Sequence, residues 1–151
     1  MISIQRENID QCIKDIGPLL EKHWLEVALH HDDIKLEPDI ERYARIEELG
    51  KLVIVTARDG ANLIGYSIFL LQNHIHYASL LYAANDVIFL DSAYRKGTTA
   101  GIRLIKTSES ILQAMGCKKI VWHIKVDHDW SAILGRMGYQ EEEIIMGKLL
   151  E

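Results

Sequence analysis

Between residues 87 and 124 the chain passes from one apolar run to another through a helical pattern, and this constrains the fold most. Val87-Ile88-Phe89-Leu90 has no polar alternation, as expected for a strand buried on both faces. Leu104, Ile105, Ser108, Ile111, Leu112 and Met115 then recur at helical spacing, and Gly116 stands where a left-handed C-terminal cap belongs. Ile120-Val121-Trp122-His123-Ile124 is the second apolar run. A strand, a helix and a strand in this order predict a crossover between parallel neighbours.

The rest of the chain frames that unit. Ile2 and Ile4 alternate with polar residues and read as a short first strand. Asn8 or Asp10 can cap a helix with an apolar stripe from Ile9 to Val27, interrupted at Gly17-Pro18. Pro38 suits the first turn of a second helix that stops at Gly50. Leu52–Thr56 and Leu63–Leu71 read as strands joined by a tight turn at Asp59-Gly60. After the crossover, a short helix near Trp130–Arg136 and a last strand over Tyr139–Leu150 complete the order. Strand, two helices, three strands, helix, strand, helix, strand predicts one α+β domain over residues 1–151, α/β-like in its crossover, with a mixed sheet of about six strands.

Composition bounds the function. At 151 residues, 48% apolar and 26% charged, the chain can bury one core. The longest apolar run, Leu63 to Leu71, is too short for a bilayer and holds Gly65 and Ser67, so no membrane partner is expected. Residues 1–10 lack a basic start followed by an apolar segment, and a cytoplasmic protein is expected. Cys12 and Cys117 read as reduced core thiols. The net charge of −5 argues against a general nucleic-acid binder. His74-x-His76, His30-His31-Asp32-Asp33 and Asp127-His128-Asp129 lack the spacing of known metal motifs, so no metal is expected.

The loop of the crossover carries the chemistry. Arg95, Lys96, Arg103 and Lys106 gather in an acidic chain, and small residues at 97–101 leave the main chain open to an anion. The hydroxyls of Thr98 and Thr99 can add hydrogen bonds. A pyrophosphate or a sugar phosphate would suit such a loop, although a solvated helix start uses the same residues. The spacing is neither GxxxxGK[ST] nor GxGxxG.

From Phe89-Leu90-Asp91-Ser92-Ala93-Tyr94-Arg95-Lys96-Gly97 into the helix, the sequence resembles the central motif of the GNAT N-acetyltransferase superfamily. That motif is Arg or Gln, two residues, Gly, one residue, then Gly or Ala. Arg95 and Ala100 match it, while Thr98 stands where Gly is usual. Arg-x-Gly-x-x-Ala-Gly, with HisTyr at 76–77, is similar to members often encoded by phages and prophages. Gly138-Tyr139 resembles the family's late Gly-Phe.

The resemblance implies an acetyl-CoA-dependent enzyme that acetylates an amine on a small molecule or a protein. It implies that Phe89 and Leu90 hold the pantetheine arm by main-chain contacts, with the Leu90 N–H as oxyanion donor. Lys96, Gly97, Thr98, Thr99, Ala100 and Gly101 would hold the pyrophosphate on N–H groups, and Arg95 or Lys96 would reach a phosphate. Asp86, at the start of the central strand, is a candidate base or a solvated residue at a strand entrance. His76, beside Tyr77, is a candidate base or part of a surface loop. The family's usual acid, a Tyr, falls at Leu134. Asp32, Asp33, Glu37, Glu41, Glu47 and Glu48 would suit a cationic acceptor, or simply a solvated face. Two alternatives stay open: a CoA-binding module without turnover, and a phage accessory protein working through protein or nucleic-acid contacts. An exposed last strand would permit a homodimer.

Overall fold

The elements run β1 (Ile2–Glu7), α1 (Ile9–Val27), α2 (Ile40–Glu48), β2 (Leu52–Asp59), β3 (Asn62–Asn73), β4 (Leu81–Leu90), α3 (Ala100–Ala114), β5 (Lys119–Val121) and α4 (Ser131–Arg136). The computed structural model describes residues 1–151. Asn8 starts α1 through a capping box. Its side chain accepts from Gln11 N–H at 2.9 Å, and the Gln11 side chain accepts from Asn8 N–H at 2.7 Å. Of the kink or two helical pieces expected at Gly17-Pro18, the break into two pieces is absent, and α1 runs through Pro18. Proline removes one donor, but the helix buries Ile9, Cys12, Leu19 and His23 on either side of it, and packing outweighs the lost bond.

The sheet has five strands in the order β1-β2-β3-β4-β5, antiparallel except for the parallel β4–β5 pair. β2 and β3 join through a two-residue turn, where Gly60 takes φ +62°. Alternation along the strands sorts side chains to two faces. Ile54, Tyr66, Ile68 and Phe89 pack with Ile9, Cys12 and Leu19 of α1 and with Ile40 and Tyr43 of α2. Val53, Val55, Phe69, Leu71 and Ala83 pack on the other face with Leu104 and Leu112 of α3. The crossover from β4 through α3 to β5 is the one expected.

Two further expectations change. β4 begins at Leu81, so Asp86 lies inside the strand and not at its start. The sixth strand is absent: residues 139–151 hold no strand, and Ile144, Ile145, Met146 and Leu150 are exposed. A strand needs a ladder partner, and β5 pairs over only three residues before it leaves β4. The segment meets β5 through one ion pair, Lys119 Nζ to Glu142 at 2.7 Å.

A buried ion pair runs along one face of the β1–β2 pair, from Glu7 opposite Ile54 to Arg58 opposite Ser3. The Glu7 carboxylate accepts from Arg58 Nε at 2.6 Å, Arg58 Nη2 at 3.0 Å and Thr56 Oγ1 at 2.8 Å. Hydrogen bonding to Arg58 holds the Glu7 carboxyl down to about 2. The side chains are 3% and 12% exposed, so solvent screens the pair little. Because the folded value lies below the ordinary one of 4.5, this stabilisation is present above that pH and is lost as pH falls toward 2. Glu7→Gln should lower the free energy of urea unfolding at pH 7 by about 3 kcal/mol. The difference from the unsubstituted protein should shrink below pH 4.5.

Candidate functional site

The site begins where β5 leaves β4. The two pair only at Tyr82↔Lys119, Ala83↔Ile120 and Ala84↔Val121, while β4 continues to Leu90. Buried Asn85 stands at the fork, and its side-chain oxygen accepts from His123 N–H in place of a ladder bond. On the other side of β4, Ile68 pairs with Val87 and Phe69 with Asn85, which leaves Asp86 as the extra residue of a bulge. Asp91 N–H bonds the Ile64 carbonyl at 2.8 Å, so Gly65 and Leu90 form a non-hydrogen-bonded pair. The N–H and C=O groups of Ile88 and Leu90 therefore face the open side. Phe89, expected to serve through its main chain, turns that main chain toward β3 and sends its ring into the α1 face.

The gap leads to the start of α3. Gly97 takes φ +73°, and Thr99 at the helix cap makes no side-chain capping bond. The N–H groups of Lys96, Gly97, Thr98, Thr99, Gly101 and Ile102 have no acceptor within the chain. Six free donors at a positive helix end are an arrangement able to receive an anion. Ala100 differs: its N–H bonds Thr98 Oγ1 at 3.3 Å. The Thr98 hydroxyl also donates to the Tyr94 carbonyl at 2.6 Å, so it shapes the turn and has no hydrogen left for an anion.

Arg95 departs from expectation as well. Its guanidinium pairs bidentately with Glu26 of α1, at 2.8 Å for Nη2, and Nε donates to the Leu90 carbonyl at 2.8 Å. Its central carbon lies 5.2 Å from the Phe89 ring centroid. Arg103 likewise donates to the Ile2 carbonyl at 3.0 Å. Lys96 and Lys106 make no ion pair.

On the α1 face, four elements bring polar groups to one groove. Tyr43 of α2 donates its hydroxyl to Asp86 at the bulge. His23 Nδ1 of α1 and the hydroxyl of Tyr66 on β3 lie 2.7 Å apart. His23, Tyr43, Asp86 and Phe89 line the groove. Burial pushes the His23 imidazole down to about 4, so it is neutral near pH 7. Burial and the Asp86 carboxylate raise the Tyr43 phenol.

His76 is not part of this cluster. It sits exposed in the turn between β3 and β4, donating its N–H to His74 Nδ1 at 3.1 Å. From Leu81 at that end, strand geometry puts Asp86 about 17 Å along β4. Leu134, where a phenol was sought, is 4% exposed. No group of three or more His, Cys, Asp or Glu side chains is placed to hold a metal ion.

No family model and no curated protein matches the chain. Solved structures do. Glucosamine-6-phosphate N-acetyltransferase from Arabidopsis thaliana matches with TM-score 0.74 and 16% identity, over 100% of this chain and 99% of that one. AAC(6')-Iy, bound to the bisubstrate analogue CoA-S-monomethyl-acetylneamine, matches with TM-score 0.74 and 15% identity, over 100% and 99%. The fold is that of the GNAT N-acetyltransferases. A transcriptional regulator from Bacillus halodurans C-125 matches equally well, with TM-score 0.75 and 15% identity over 98% and 100%, so a GNAT-like fold does not by itself fix the activity.

Within this GNAT-like fold the motif residues missed three groove residues, His23, Tyr43 and Tyr66. A polar residue on an otherwise apolar stripe, as His23 is between Leu20 and Val27, was the only signal available for it. Gly65 matters for a different reason. A Cβ there would stand 2.8 Å from the Phe89 carbonyl oxygen and 2.9 Å from Leu90 Cδ1, so β4 would have to move. Gly65→Ala should lower the free energy of urea unfolding by about 1–3 kcal/mol.

Proposed function

We propose that the protein is an acetyl-CoA-dependent N-acetyltransferase that passes the acetyl group directly to an amine. One observation carries this reading: the open side of β4 runs into six unbonded main-chain N–H groups at the start of α3. An arm with amide groups can extend β4 like an added strand, bonding Ile88 and Leu90, while its diphosphate rests on the amides of 96–99, 101 and 102. Lys96, uncommitted to any ion pair, supplies a mobile charge. Arg95 serves the loop by position, through Glu26 and Leu90.

The chemistry follows from the two sides of β4. The Leu90 N–H faces the gap and can stabilise the oxyanion that develops on the thioester carbonyl. Asp86, exposed at the bulge and hydrogen-bonded by Tyr43, takes a proton from the acceptor ammonium, directly or through water. The free amine then attacks the thioester carbon to form the C–N bond. The tetrahedral intermediate collapses by breaking the C–S bond to release the thiolate, and the nitrogen gives its second proton to water. With Leu134 in the core, no phenol protonates the departing sulfur there. A thiol ionises near pH 8.5, so the thiolate is a good enough leaving group to depart unaided.

Leu134 also favours the alternative of a module that binds CoA without turnover. Thiol release from acetyl-CoA with a panel of amines separates the two: release supports transfer, and tight binding without release supports the module. Asp86→Asn should lower kcat by about 100-fold or more while leaving acetyl-CoA affinity within about twofold. Gly97→Asn and Gly97→Asp both tolerate the left-handed backbone at φ +73°, but only the second adds charge. By calorimetry, Gly97→Asp should bind acetyl-CoA about tenfold or more weaker than Gly97→Asn. Equal affinities would place the diphosphate elsewhere.

A further inference from the structure

A polar pair on the helix side of the groove has no part in the chemistry above. His23 is 9% exposed and lines the groove. Its ring stacks on Phe89 with centroids 4.8 Å apart and planes 12° apart, which fixes its plane. Nδ1 lies 2.7 Å from the Tyr66 hydroxyl, and that hydroxyl, on a residue 0% exposed, has no other partner in the chain. A buried phenol hydrogen is strongly disfavoured without an acceptor, so Tyr66 donates to Nδ1. The neutral ring then carries its hydrogen on Nε2. Nε2 has no partner in the chain.

Burial keeps the ring neutral, and the charges around it add smaller effects of both signs. Glu26 on α1 favours the imidazolium, while Arg95 from the loop, Lys125 after β5 and burial oppose it. His23 is thus a fixed donor that can neither take a proton from the acceptor nor pair with its ammonium. The ammonium has its own partner in Asp86, and Tyr66 feels both Tyr43 and Asp86. A donor on one side and a carboxylate on the other match a molecule that carries an oxygen near its amine.

We propose that His23 is an acceptor-binding residue, whose Nε2–H donates to a hydroxyl or carbonyl oxygen of the amine being acetylated. This rests on the transfer reading and narrows its acceptor to oxygen-bearing amines, such as amino alcohols and amino sugars. An acceptor without the oxygen would leave the donor desolvated and unpaired, which a site of this kind discriminates against strongly.

Two measurements test the assignment. In ¹⁵N NMR of the protein, with and without CoA, the His23 hydrogen should sit on Nε2 from pH 8 to pH 5. Its signal should move on adding trans-2-aminocyclohexanol or glucosamine but not cyclohexylamine. In thiol release from acetyl-CoA, kcat/KM should favour trans-2-aminocyclohexanol over cyclohexylamine by about tenfold or more. His23→Phe should bring that ratio near one, and His23→Gln, which keeps a donor, should restore part of it. A hydrogen found on Nδ1, a signal unmoved by both hydroxylated amines, or a ratio unchanged in His23→Phe overturns the proposal. Failure to bind acetyl-CoA in calorimetry would sink the transfer reading instead, and the NMR signal would then decide the role of His23 alone.

Discussion

A central strand normally satisfies its main chain on both sides, and β4 does so only as far as Ala84. Beyond that point the fold holds one side of the strand open. Asn85 props the fork by bonding His123 N–H with its side chain, so β5 leaves ladder spacing. The bulge at Asp86 turns the strand, and Gly65 lets β3 approach closely enough to carry it without help from β5. Unpaired main-chain groups are costly unless they meet water or a ligand. An open strand edge that leads to an uncapped helix start concentrates that need in one place.

Helix α1 forms the second wall and settles what the loop cations do. Lys22 and Glu26 lie one turn apart on the helix and pair with Asp91 at 2.9 Å and with Arg95 at 2.8 Å for Nη2. His23 stacks on Phe89 within the same turn of α1. Exposed pairs of this kind contribute little stability singly. Their effect here is positional: they fix the strand-to-helix turn against α1 and draw Arg95 away from the free amides. Main-chain dipoles, with Lys96 beside them, are what an anion would meet there, a largely rigid set that needs little side-chain ordering on binding.

The motif was readable because its physics is local. Apolar runs, helical spacing and small residues at 97–101 all lie within a few turns of chain. The same holds for the Asn8 cap, the Asp59-Gly60 turn and Gly116 at φ +90°. Other expectations did not survive contact with the rest of the chain. Tyr139–Leu150 has the composition of a strand, but strand formation depends on a neighbour, and β5 is too short to template one. Thr98 was legible as a hydroxyl near an anion loop, yet Tyr94 and Ala100 already engage it.

The sequence by itself determined the order of elements, the parallel crossover and the small, basic loop that opens α3, because each follows from spacing along a short stretch. Only the tertiary structure decided that Arg95 turns to Glu26, and that His23 meets Tyr66 while Tyr43 meets Asp86. Those partners are 69, 43 and 43 residues apart along the chain. Such contacts depend on which faces α1, α2, β3 and β4 present to one another, and that choice is made by burying the whole apolar core at once.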